Sequence, residues 1–102
     1  MLKKVDGNQR QIVRAVRAMG ATVQVLSEVG KGFPDIIIGC NGYNVLIEIK
    51  NDEQSASNQR LTVAEKRFHN SWNGEIYIIR NIEEAINLIN HVRLRDAVKR
   101  LL

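Results

Sequence analysis

The sequence is poor in cysteine, in long apolar runs and in linker-like composition. Its single cysteine, Cys40, cannot close an internal disulfide, and the spaced Cys and His sets of zinc fingers are missing. A disulfide-stapled or finger-type scaffold is thereby excluded, and a reducing, cytoplasmic setting is the expectation. No apolar run approaches the roughly 20 residues that cross a bilayer. The opening MLKKVDGNQR also lacks the apolar segment of a signal peptide, so a protein with no membrane partner is expected. There is no internal repeat, low-complexity tract or splitting linker, and residues 1–102 read as a single domain. What is present suits one modest core: 102 residues, 44% of them apolar. Fifteen basic against 11 acidic residues leave a formal charge of +4, a mild excess that favours a polyanionic partner without deciding for one.

Residues 8 to 19 place Ile12, Val13, Val16 and Met19 at helical spacing, with Asn8 or Asp6 as N-cap and Gly20 as the stop. Residues 21–26 alternate and are rich in β-branched side chains, which predicts a strand ending before Ser27. A loop to Pro34 follows. Asn41-Gly42 between two apolar runs is the strongest short-range hairpin signal, because a type I′ turn needs positive φ at both central residues. A two-residue turn there pairs Cys40 with Tyr43, Ile38 with Val45, Ile36 with Ile47, and Asp35 with Glu48. The two-residue period sends Lys50 to the face of Glu48 and turns Ile47 and Ile49 the other way. Both faces of this hairpin carry aliphatic residues, so both should be covered, as in an α/β sandwich. Residues 51–58 read as a polar loop. Thr62 with Glu65 forms a capping-box pattern opening a helix to about Trp72. Residues 75–80 form another strand, and Asn81 with Glu84 caps a last helix whose periodicity runs on through the basic tail 93–102. The order is αβββαβα.

Opposing Asp35 to Glu48 is unfavourable unless something offsets the repulsion. Mg²⁺ is the natural candidate, since it takes hard oxygen ligands and is usually held by one or two carboxylates plus substrate phosphate. Lys50 would stand beside such a site to polarise an attacking water and to stabilise charge on a phosphoryl group. The Ile49 carbonyl, between the two functional side chains, is a further candidate metal ligand.

Pro34-Asp35, then 12 residues, then Glu48-Ile49-Lys50 resembles the PD-(D/E)xK nuclease superfamily. Gly30-Lys31-Gly32-Phe33-Pro34-Asp35, Leu46-Ile47-Glu48-Ile49-Lys50, and Leu61-Thr62 through Phe68-His69-Asn70-Ser71-Trp72 look like its VRR-NUC branch. That branch includes the nuclease domain of the Fanconi-anaemia-associated nuclease and short stand-alone viral and phage versions. The resemblance covers roughly Gln9 to Val92. It implies a restriction-endonuclease-like αβββαβ core, a central mixed sheet flanked by helices, dependence on Mg²⁺ or Mn²⁺, and hydrolysis of DNA phosphodiesters. For a stand-alone member, phage- or virus-encoded and acting in its host cell, it further implies a homodimer on branched DNA, similar to Holliday-junction resolvases. One departure stands out. Many superfamily members carry an acid on the first helix as an extra metal ligand, where this chain offers Gln9 and Gln11, and Gln9 is the candidate.

Each signal also has an ordinary reading. An Asp at a strand start and a Glu-x-Lys in a strand are, taken alone, more often a cap and a solvated edge. Acids in aliphatic strands covered on both faces resist that reading, since burying them unpaired costs several kcal/mol. Lys31 and Ser27 precede the site in a glycine-containing loop able to meet phosphate, against which stand a solvated charge and simple strand termination. His69 reads as a half-buried or surface histidine, His91 as structural or exposed, Phe68 and Trp72 as core, and Cys40 as a small hydrophobe. The alternative from another class is a catalytically silent nucleic-acid-binding or assembly module on the same fold.

Overall fold

The structure of the protein, a computed structural model, describes residues 7–102. Its centre is the Asn41-Gly42 turn, whose two φ angles of 52° and 86° are both positive, as a type I′ turn demands. The turn joins β2 (Ile36–Cys40) to β3 (Tyr43–Ile49) in antiparallel register, with Cys40 opposite Tyr43, Ile38 opposite Val45 and Ile36 opposite Ile47. β1 (Thr22–Val25) pairs antiparallel with β2, and β4 (Ile76–Ile79) pairs parallel with β3, giving the order β1-β2-β3-β4. A parallel pair needs a long crossover. Here it is α2 (Ala56–Gln59) followed by α3 (Val63–Ser71). The result is the expected α/β architecture, a mixed sheet flanked by helices.

One sheet face is fully covered. α1 (Gly7–Ala18) and α4 (Ile82–Leu101) pack on each other and on the sheet. Ile12 and Val16 of α1 and Ile89 and Val92 of α4 meet Ile36, Ile38, Val45 and Ile47, all essentially without solvent exposure. Each such isoleucine contributes about 2–3 kcal/mol by its burial. Arg95 of α4 lies over the Tyr43 ring, 4.3 Å from its centroid, and pairs with Glu75 ahead of β4, tying the helix across two strands. Asn81 caps α4 by accepting the Glu84 N–H at 2.8 Å.

The other face, carrying Leu46 and Glu48 and their β4 partners Ile76 and Ile78, is covered more thinly. α3 lies over part of it, opened by the expected capping box between Thr62 and Glu65. Contrary to expectation, Phe68 and Trp72 are not core. No residue of α3 is buried and Trp72 is 43% exposed. Phe33, Phe68 and Trp72 instead form a strip of aromatic contacts, with centroids 4.9 Å and 5.2 Å apart. Helical spacing identifies a side that packs, but not how deeply a single short helix sinks. Gly32, at φ +79°, allows the loop before β2 to pass beneath α3, since a Cβ there would lie 2.4 Å from the Ala64 carbonyl.

Two boundaries also differ. α1 begins before Asn8, so Asn8 is no N-cap, and Asp6 lies outside the described residues. Residues 51–58 are not all loop, because Ser55 caps the single turn of α2 by accepting from the Asn58 N–H.

Candidate functional site

The ladder between β2 and β3 ends at Ile36 opposite Ile47, and Asp35 stands in a bend just before it, outside the register. The Asp35 N–H donates to the Ile47 carbonyl at 3.1 Å, and the Asp35 carbonyl accepts from the Leu26 N–H at 2.7 Å. Its backbone is thus held from both flanks. Its side chain is held as well, because Oδ2 accepts the Ile49 N–H at 2.7 Å. These bonds bracket Glu48, and the two carboxyl groups share a hydrogen bond. Asp35 is 7% exposed and Glu48 only 2%.

Lys50 completes the group. Its Nζ lies 3.8 Å from Glu48 Oε2 and 2.7 Å from Glu65 Oε1, with 11% of the side chain exposed. The remaining carboxyl oxygen of Glu48, Oε1, is buried without a hydrogen-bond partner. Glu48 is pushed up to about 9, first by burial, then by its hydrogen bond to Asp35 and the charges of Asp35 and Glu65, against which the nearby Lys50 pulls down. Lys50 therefore does not neutralise Glu48. Desolvation of a 2%-exposed carboxyl outweighs one cation at 3.8 Å, and without a metal the proton on Glu48 holds the two acids together.

Glu65 is the residue that sequence reasoning missed. It has a second use beyond the capping box: Oε1 accepts both the Thr62 N–H at 2.8 Å and Lys50 Nζ. Burial works to raise its pKa, but the hydrogen bonds from Lys50 and Thr62 and the charge of Lys50 outweigh it, and the net shift is downward. Glu65 thus holds the ammonium of Lys50 at the site. The only signal in the chain was that of a cap, already satisfied by a local role. Asn8 was likewise read for a local role, and its Nδ2 donates to the Lys50 carbonyl at 2.6 Å and to the Arg80 carbonyl at 3.2 Å, clamping α1 to the ends of β3 and β4.

The other candidates have their own partners or surroundings. Gln9 is buried, and its Nε2 donates to Ser27 Oγ at 3.2 Å, so these two residues occupy each other. Lys31 is exposed in the loop at φ 56°. His69 is half-buried one turn beyond Glu65; burial lowers its pKa, with Glu65 raising and Lys50 lowering it, and Nε2 has no partner. Cys40 is buried and free, and His91 is exposed.

No family model, curated protein or solved structure matches this chain. Its chemistry has to follow from the side chains themselves. Among the described residues no three His, Cys, Asp or Glu side chains converge as a ready-made metal cage. Mg²⁺ needs none, since one or two carboxylates completed by water and substrate phosphate suffice. The donor set fits such an ion: two fixed hard-oxygen ligands, one with a buried oxygen left without a partner.

Proposed function

We propose that the chain is a metal-dependent endonuclease that hydrolyses DNA phosphodiester bonds, acting as a homodimer on branched DNA. The observation that carries the catalytic part is the buried Asp35–Glu48 pair with its unpartnered Oε1 and Lys50 at its side. A site with no chemistry has little reason to bury two opposed acids, which like-charge repulsion and desolvation both disfavour. Asp35 and Glu48, with the Ile49 carbonyl, would hold Mg²⁺ or Mn²⁺. When bound, such an ion lowers the pKa of a coordinated water and offsets charge developing on the phosphate. Lys50 contributes an ammonium group beside the acids, one of whose N–H donors is taken by Glu65, which limits its freedom to a geometry facing them. Gln9, held by Ser27, keeps the end of α1 in place. The homodimer and the preference for branched DNA rest on the likeness of the motifs to stand-alone VRR-NUC nucleases, and the net charge of +4 suits a polyanionic partner.

The second reading, a silent nucleic-acid-binding module, is favoured by one observation: Gln9, the candidate extra ligand on the first helix, is engaged with Ser27. The two part in a single assay. Labelled single-stranded, duplex, flap and four-way-junction DNA are incubated with Mg²⁺, Mn²⁺ or EDTA and the wild type, Asp35→Ala or Lys50→Ala. Metal-dependent cutting lost in both variants, with the junction cut best, is the expected result. Binding of DNA without cutting under any metal would replace the nuclease with the silent module.

A further inference from the structure

Ile78 is the direct cross-strand partner of Glu48 and lies on the same sheet face, one strand spacing or ~5 Å away. It forms the floor of a groove of about 580 Å³ that runs between α2–α3 and the β4 edge. Leu61 adds to that floor, and Arg60, Lys66 and Arg80 stand around it with the amides of Gln59 and Asn70. No carboxylate lines the groove. Arg60 and Lys66 are exposed and, among the described residues, neither side chain has an ion-pair partner. Among the described residues the Arg80 side chain has only a long ionic contact of 3.9 Å, to Glu84, both half in solvent. Such a contact is worth little.

We propose that this groove seats the sugar–phosphate backbone of one nucleic-acid strand leading to Glu48. Three cations without strong partners among the described residues offer partners for phosphates, and the apolar floor of Leu61 and Ile78 suits a ribose or base face. The groove is of ligand-pocket size and takes a strand rather than a duplex, so an unpaired or splayed arm enters it best. Contacts of this kind track the backbone and carry no sequence information. The assignment rests on the nuclease reading for its direction, toward the acids, but the strand affinity stands on the groove alone.

The test measures binding of a fluorescent single-stranded oligonucleotide in EDTA between 50 and 200 mM salt. It compares the wild type, the groove triple Arg60→Gln, Lys66→Gln, Arg80→Gln, and a charge-matched triple on the outer face of α1, Arg10→Gln, Arg14→Gln, Arg17→Gln. Each phosphate contact removed from a single strand flattens the logarithmic salt slope by about 0.7. The groove triple is expected to bind at least tenfold more weakly, with a slope reduced by about 2, and the α1 triple less than threefold more weakly. Equal losses in the two triples would overturn the groove in favour of diffuse charge, as would an unchanged groove triple. Should the triple prove unfolded by circular dichroism, the double variant Arg60→Gln, Lys66→Gln leaves the Arg80–Glu84 contact intact and is expected to flatten the slope by about 1.4. Strand binding in EDTA without cutting in Mg²⁺ would remove the nuclease and leave the groove. Cutting by the wild type with unchanged binding by the groove variants would do the reverse.

Discussion

Replacing Glu48 with Gln should stabilise the protein in EDTA at neutral and alkaline pH while abolishing the proposed cleavage. The folded state holds this carboxyl near 9 against 4.5 for the free side chain. Between those values the folded protein keeps a proton that the unfolded chain has released, so stability is fully present below about pH 4.5 and falls as the pH rises. With 1.36 kcal/mol per unit, the loss reaches about 4 kcal/mol by pH 7.5. Gln cannot ionise, and its amide can still donate to Asp35 in place of the shared proton. Urea unfolding in EDTA from pH 4 to 8 therefore gives nearly equal midpoints for wild type and Glu48→Gln at pH 4. At pH 7.5 the variant leads by roughly 3 M, taking a slope near the low end for small domains. Mg²⁺ should then raise the wild-type midpoint at pH 7.5 and leave that of the variant where it was, because the metal replaces the proton only where a carboxylate can form. Parallel pH profiles for the two proteins, or a variant less stable at pH 7.5, would refute the claim that a buried, protonated Glu48 occupies the proposed metal position.

Two further substitutions probe what positions the site. Glu65→Ala removes both the cap reciprocity and the partner of Lys50. It should lower stability by about 1 kcal/mol and cleavage by about tenfold or more, seen as lower kcat at unchanged KM, with Glu65→Gln restoring the stability more than the rate. Gly32→Ala forces a side chain into positive φ and against the Ala64 carbonyl. It should cost about 2–4 kcal/mol in thermal unfolding and shift α3 enough to weaken the Lys50–Glu65 contact, read as a fall in cleavage of the folded fraction.

Local rules reached far in this chain. Asn41-Gly42 selects a turn type, the turn sets the register from Cys40–Tyr43 to Ile36–Ile47, and Lys50 falls beside Glu48. The expected pairing of Asp35 with Glu48 lies beyond that ladder, and Asp35 reaches Glu48 from the bend before β2 by its side chain. The caps of α3 and α4 were equally legible, since an N-cap and its partner lie three residues apart. A mixed sheet with helices on both sides follows from aliphatic residues on both faces of a hairpin. How deeply anything is buried does not follow from such rules. The aromatic pair Phe68 and Trp72 has core spacing and yet lies half in solvent, because one short helix covers that face. Asn8 reads as a cap and instead clamps the Lys50 carbonyl 42 residues away, while Glu65 is recruited to Lys50 from a helix whose own signal gave it another task. The raised pKa of Glu48 belongs to the same class, since it depends on the depth to which packing carries the carboxyl from water. Pairings across a turn are dictated by neighbours a few residues apart. Desolvation and long-range partners are decided only when distant elements pack, and they set the electrostatics of this site.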